Sequence, residues 1–172
     1  IAFNAPVNLG TGSFNIQQGQ ATINTSLTAA TINIGAQGIL AGNGTIIGDV
    51  THSGVLSPGN SIGTINIVGN YTQMPGSFTY LAEVSGTSIS DRINVTGIAT
   101  IQGGTVGVAA APGSYAPRTT YTILSAAGGI AGTYSNAVSN YPFLQPSLSY
   151  DAKNVYLTLQ VGGFAQAAQT PA

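Results

Sequence analysis

The chain has no cysteine and no tryptophan, one histidine and one methionine. Without cysteine it has neither a disulfide framework nor a thiolate metal site. Charged residues make up 4% of the sequence, against about 25% in an ordinary soluble domain. The permanent cations are Arg92, Arg118 and Lys153, and the formal net charge is −1. Three cations cannot form the basic face that binds phosphate backbones, so nucleic acid is excluded as a partner. The sequence also lacks an apolar run of roughly 18 residues, the length a membrane-crossing helix needs. It opens Ile1-Ala2-Phe3-Asn4, with no initiator methionine, basic leader or apolar leader segment. The expectation is a segment of a longer chain, with its address signals outside it.

Glycine, by contrast, is abundant, at 24 of 172 residues, roughly twice the usual share. Hydrophobic residues are 43% and mean hydropathy is +0.27. Disorder normally combines low hydrophobicity with high charge, so this composition predicts a folded chain. At 17.2 kDa the chain fits one domain with a real core. Short runs of Thr, Ile and Val cut by Gly, Pro, Asn and Ser predict an all-β fold.

Residues 38–80 repeat one pattern twice. Gly44-Thr45-Ile46-Ile47-Gly48-Asp49-Val50-Thr51 leads to Gly54-Val55-Leu56, and Gly63-Thr64-Ile65-Asn66-Ile67-Val68-Gly69-Asn70-Tyr71-Thr72 leads to Gly76-Ser77-Phe78. Gly48 and Gly69 are 21 residues apart, and Gly54 and Gly76 are 22 apart. Self-similarity at that period marks a solenoid, here the coils of a β-helix. At roughly 21 residues per coil, seven or eight rungs is the upper bound, a rod about 30–40 Å long. Gly48, Gly54, Gly69 and Gly76 are expected to serve backbone geometry.

The segment between the repeats, Leu56-Ser57-Pro58-Gly59-Asn60-Ser61-Ile62-Gly63, resembles the passenger-associated repeat of bacterial autotransporters, the type V secretion proteins. Ser90-Asp91-Arg92-Ile93-Asn94-Val95-Thr96-Gly97, Tyr121-Thr122-Ile123-Leu124 and Ser147-Leu148-Ser149-Tyr150-Asp151 are similar to the segment that follows it in those passengers. The resemblance covers residues 38–170, and residues 1–37 match only in style. It implies a right-handed parallel β-helix with a C-terminal β-hairpin cap, in the manner of the AIDA and pertactin types.

Three regions are expected: β-helix coils over 1–84, a capping or autochaperone region over 85–161, and a linker to an outer-membrane β-barrel beginning over 162–172. Residues 1–37 alternate weakly and predict one or two imperfect coils. Residues 85–91 read as a loop, 126–132 as a turn and 135–146 as a long surface loop. Strands around residues 151–154 form a hairpin with a four-residue loop. Val155, Leu157, Leu159 and Val161 share one face of its second strand. This hairpin closes an otherwise open solenoid end.

Candidate chemistry is sparse. His52 is expected at a solvent-facing strand position, and Ser53 beside it points to the opposite face, so no local Ser-His pair forms. Glu83 and Asp91 are the pair that a loop might bring to glycosidase spacing. The competing expectation puts Glu83 in solvent and has Asp91 fixing a turn through its own backbone N–H groups. Asn60 reads as a turn residue. Tyr115, Tyr121, Tyr134, Tyr141, Phe143 and Tyr150 concentrate aromatic area in the C-terminal half, as core under the cap or as an exposed patch. No catalytic, metal or cofactor site is expected.

The resemblance implies a non-enzymatic stalk that nucleates folding at the bacterial cell surface. Its structural residues would be Leu56, Pro58, Gly59, Asn60, Ile65, Ile67, Tyr71, Phe78, Tyr80, Asp91, Leu148, Tyr150, Leu157 and Leu159. Partners would be upstream passenger coils and a downstream outer-membrane barrel. Two other readings stay open: an adhesive module that meets host surfaces, glycans or sister rods through outward residues such as Asn66 and Thr79, and a polysaccharide-active β-helix.

Overall fold

The computed structural model describes residues 1–76 and 78–162, with Phe78 described by its backbone alone. The expected linker from residue 163 onward and the expected inward side chain of Phe78 therefore lie outside the described residues. Within them the chain is built of strands. The first half holds β1 (Ala2–Phe3), β2 (Val7–Asn8), β3 (Ser13–Ile23), β4 (Ser26–Gly42), β5 (Thr45–His52), β6 (Val55–Pro58), β7 (Thr64–Val68), β8 (Tyr71–Gln73) and β9 (Phe78–Val84). The second half holds β10 (Arg92–Val95), β11 (Ala99–Gln102), β12 (Thr105–Ala110), β13 (Arg118–Ala126), β14 (Ile130–Thr133), β15 (Asn136–Ser139), β16 (Leu144–Tyr150) and β17 (Asn154–Val161).

These strands coil into a parallel β-helix. Alternation sends every second side chain inward, and parallel registry stacks the inward residues of successive coils. Three files result. Val7, Leu27, Ile46, Ile67, Val95 and Ala126 form the first. Phe14, Ile32, Val50, Tyr71, Ala99 and Ile130 form the second. Ala21, Leu40, Leu56, Tyr80, Val106 and Ala137 form the third. Leu27, Leu40, Ile46, Leu56, Ile67, Tyr71 and Tyr80 are fully buried, so the files are one continuous core. Burying each such side chain contributes about 1.5–3 kcal/mol.

Among the described residues each file has six rungs, within the upper bound of seven or eight. Successive members of the first file are 20, 19, 21, 28 and 31 residues apart, so the later coils are longer. Six rungs at about 4.8 Å spacing span about 24 Å. Residues 1–37 also contribute full rungs: Phe14, Ile16 and Ala21 of β3 lie in register with Ile32, Ile34 and Leu40 of β4.

Parallel pairing continues past Val84, through β10 on β7 and β12 on β9, and ends with β15 on β12. The expected turn over 126–132 contains the start of β14, and the expected loop over 135–146 contains β15 and the start of β16. The first segment is rich in Gly and the second in Pro and Asn, which weaken a strand signal, but each rung lies on a preformed edge that supplies its hydrogen bonds. Direction reverses at the end: β17 runs antiparallel to β13, and β16 antiparallel to β17. The hairpin is the expected cap, joined by three residues rather than four because Asn154 already pairs in β17.

A fourth stack forms at one corner. Gly97 N–H donates to Gly69 O and Gly128 N–H to Gly97 O, each at 2.9 Å. A Cβ on Gly97 would lie 2.6 Å from Gly69 O, one on Gly128 2.7 Å from Gly97 O, and one on Gly69 would overlap Gly48 O. The coil-spaced Gly48 and Gly69 are thus the first members of a glycine column that lets successive corners pack backbone on backbone.

Candidate functional site

A fourth inward file runs Ile16, Ile34, His52, Gln73, Ile101 and Gly132. Apolar residues occupy its first two rungs, and polar ones the next two. His52 is therefore not on the solvent face expected of it. It follows Val50 at even spacing on β5 and is 0% exposed. Its Nδ1 lies 3.1 Å from Gly54 O and its Nε2 lies 2.6 Å from the Tyr71 hydroxyl. A carbonyl only accepts, so Nδ1 carries the proton and Nε2 accepts from Tyr71. Burial lowers the His52 pKa to about 4, with the Gly54 carbonyl pulling weakly the other way. The imidazole is neutral and structural here.

The polar seam continues around this pair. Gln73 Nε2 donates to Met74 O, while Gln73 Oε1, Thr79 Oγ1 and the Tyr134 hydroxyl are buried without a hydrogen-bond partner. Thr79, taken from sequence as outward, is fully buried. The Tyr80 hydroxyl donates to Ile123 O at 2.7 Å, and its ring lies 6.4 Å from that of Tyr134. Burial raises the pKa of Tyr71, Tyr80 and Tyr134. The sequence signal for this seam is parity along β5 and β8: His52 shares the face of Val50, and Gln73 that of Tyr71.

Asp91 organises a second cluster. Its Oδ1 accepts from the Gly63 amide and its Oδ2 from the Glu83 amide, each at 2.8 Å. The Arg92 amide returns a bond to Gly63 O at 3.0 Å. Asp91 thus bonds to N–H groups of two other segments rather than to those of its own turn. It is fully buried, and desolvation outweighs the two N–H donors to raise its pKa to about 7. Glu83 is half-buried, and its backbone, not its carboxylate, meets Asp91. Among the described residues no group of three His, Cys, Asp or Glu could hold a metal ion.

The Asp91 latch joins two segments that sequence reading singled out separately. Pro58 and Gly59 are buried at the turn that leads to Gly63, and Gly59 has φ 88°, where a Cβ would strike Ser61 O. Asn60 is more than a turn residue: its Nδ2 donates to Asn24 Oδ1 at 2.9 Å, and Asn24 donates to Asn4 Oδ1 at 2.6 Å. An external asparagine ladder therefore crosses successive coils. Similar rungs join Asn33 to Asn15 and Asn94 to Asn66, at 2.9 and 3.1 Å.

Ile65 and Ile67 stack on Ile93 and Val95, and Leu56 stacks on Tyr80. At the cap, Leu157 and Leu159 are buried against β13, opposite Tyr121 and Thr119. Leu148 and Tyr150 are half-buried, opposite Leu157 and Val155 in the hairpin. The Tyr150 hydroxyl accepts from the Tyr134 amide at 3.0 Å, which ties the hairpin to the last parallel coil. Of the other C-terminal aromatics, Tyr121 is buried, Tyr115 and Tyr141 are half-buried, and Phe143 is exposed.

No family model matches the chain. It is 31% identical over 152 residues to the extracellular serine protease of Serratia marcescens, a match that covers 83% of this chain and 14% of that protein. The chain thus spans about one seventh of the relative's length, and the match fits a secreted or cell-surface location. The parallel β-helix and this homology together fit a region of a bacterial autotransporter passenger.

Proposed function

We propose that this segment is the non-enzymatic stalk and folding nucleus of its passenger, tethered to the outer membrane through a C-terminal barrel. The observation that carries the proposal is the asymmetry of the two ends. At one end β17 and β16 reverse direction over β13, and Tyr150 bonds back to Tyr134. At the other end β1 and β2 pair only with later coils, β3 and β4, which leaves their outer edges free to template another parallel coil. A chain emerging C-terminus first would complete the capped end before the rest arrived. Each further coil then buries apolar side chains worth about 1.5–3 kcal/mol apiece outside the cell. Retreat through the membrane becomes unfavourable without any nucleotide hydrolysis.

The test is surface display of the whole passenger carrying Leu157→Asn, Leu159→Asn or Ile65→Asn. Reduced display, with the barrel still inserted, is the expected result. Display equal to wild type for all three would remove the nucleation role. The ladders of outward Asn and Thr, such as Asn15–Asn33 and Asn66–Asn94, favour an adhesive second reading. Loss of cell aggregation in an Asn66→Ala passenger that is normally displayed would support it. A polysaccharide-active role has less behind it, because both oxygens of Asp91 are committed to backbone amides.

A further inference from the structure

Two of the three cations of the chain converge on one surface cleft. Arg92, Asn94 and Val95 of β10, Ser125 and Ala126 of β13, and Lys153 and Asn154 at the hairpin turn line a hollow of about 350 Å³. That is within the range of small-molecule sites, about 300–1,000 Å³. In a sequence with three cations this convergence gathers two thirds of the Lys and Arg charge.

The hydrogen bonds around the cleft are directional. Arg92 Nη2 donates to Ser125 Oγ at 2.6 Å, Ser125 donates to Asn154 Oδ1 at 2.6 Å, and Asn154 Nδ2 donates to Asp151. The guanidinium is held by a neutral hydroxyl, and its Nε is buried without a partner. Asp151, the nearest acid in this chain of contacts, also accepts the amides of Lys153 and Asn154 and the Tyr156 hydroxyl. These donors keep Asp151 ionised, and two cations against one carboxylate leave the cleft net positive.

The remaining walls narrow the ligand. Val95, Ala126 and Ala127 offer small apolar contacts, Asn94 offers an amide-type partner, and Ser125 and Asn154 are the groups that hold Arg92 in place. An apolar floor with a few placed polar groups suits a sugar ring, and the Arg–Lys pair suits a carboxylate on it. We infer that the cleft between β10, β13 and the hairpin turn binds the uronic-acid residue of an acidic glycan, through Arg92 and Lys153. The cleft shares the hairpin turn with the capped end, but its test reads ligand binding by the folded chain, so it stands or falls apart from the nucleation role.

The test is a ¹H–¹⁵N NMR titration of the intact chain with methyl galacturonate glycoside, the neutral methyl galactoside and acetate. The expected result is saturable shifts at residues 92–95, 125–127 and 153–154 with the uronate, at about millimolar affinity as befits a shallow single-residue site. Binding by the neutral sugar should be about tenfold weaker. Lys153→Gln, at an exposed position, and Arg92→Gln should each weaken the uronate several-fold and leave the neutral sugar unchanged. Absence of saturation by the uronate would overturn the site. Acetate binding as tightly as the uronate would overturn the saccharide assignment. If Arg92→Gln alters the amide spectrum globally, the Lys153→Gln result decides.

Discussion

Asp91 Oδ1 accepts the Gly63 amide at 2.8 Å across 28 residues of sequence, and the bond ties the turn after β6 to the start of β10. The second oxygen does the same for Glu83. One buried carboxylate thus holds three segments at the point where the coils lengthen from 21 to 28 residues. Asp91→Ala leaves two amides without that acceptor. Equilibrium urea unfolding should show a loss of about 1–3 kcal/mol, read as a lower midpoint at unchanged slope.

The same residue gives stability a pH dependence, opposed by His52. The folded pKa of Asp91 is raised from 3.8 to about 7, so the native state holds more protons than the unfolded chain between those values. Its contribution to stability therefore falls as pH rises through that window. The folded pKa of His52 is lowered from 6.5 to about 4, so its contribution falls as pH drops from 6.5 toward 4. The two slopes cancel in part, and urea midpoints of the wild type should change little between pH 4.5 and 6.5. Asp91→Asn removes one arm, and midpoints should then fall steadily on acidification, by up to about 3 kcal/mol for a shift of this size. His52→Gln should show the reverse slope. Parallel profiles for all three proteins would refute the coupling.

The repeat that predicted coils was strongest in residues 38–80, where two copies keep the same length and glycine positions. The rung count falls below the upper bound that this period sets because later coils carry insertions between strands, which periodicity does not register. Ile65, Ile67 and Tyr71 were legible as inward because each alternates with a polar neighbour. His52 followed the same alternation but was assigned by its polarity rather than its parity. Thr79 departs from parity for another reason: the pairing of β9 with β12 shifts between Phe78 and Tyr80, which makes Thr79 the extra residue of a bulge with its hydroxyl buried. The asparagine ladder joins residues 18 to 36 apart and the Asp91 latch residues 8 and 28 apart, and no local pattern in one sequence reports such pairings.

The glycine column makes a steric prediction. A methyl group on Gly97 would lie 2.6 Å from Gly69 O, a backbone atom that moves only if the whole corner moves. Gly97→Ala should therefore cost about 1–3 kcal/mol in thermal or urea unfolding, as overpacking does. At Gly19, φ is 76° and nothing lies within 4 Å of the added Cβ. Gly19→Ala should cost only the left-handed backbone penalty, about 1–2 kcal/mol. A Gly97 variant as stable as wild type would mean that the corner yields without cost.

The cap supplies the last prediction. Leu157 is fully buried between Leu148 and Tyr121, one of the residues through which the hairpin meets β13. Leu157→Ala removes three carbons from a site walled by paired strands, which collapse poorly around a cavity. A loss of about 2–5 kcal/mol is expected. Leu148→Ala, at a half-buried position, should cost less. Hydrogen exchange would add where the loss is felt. If the hairpin secures the last coil, Leu157→Ala should speed exchange in β13–β15 as well as in β16–β17, because Tyr150 would no longer hold the Tyr134 amide. Exchange confined to the hairpin would mean that the cap frays alone, with the coils beneath it stable without it.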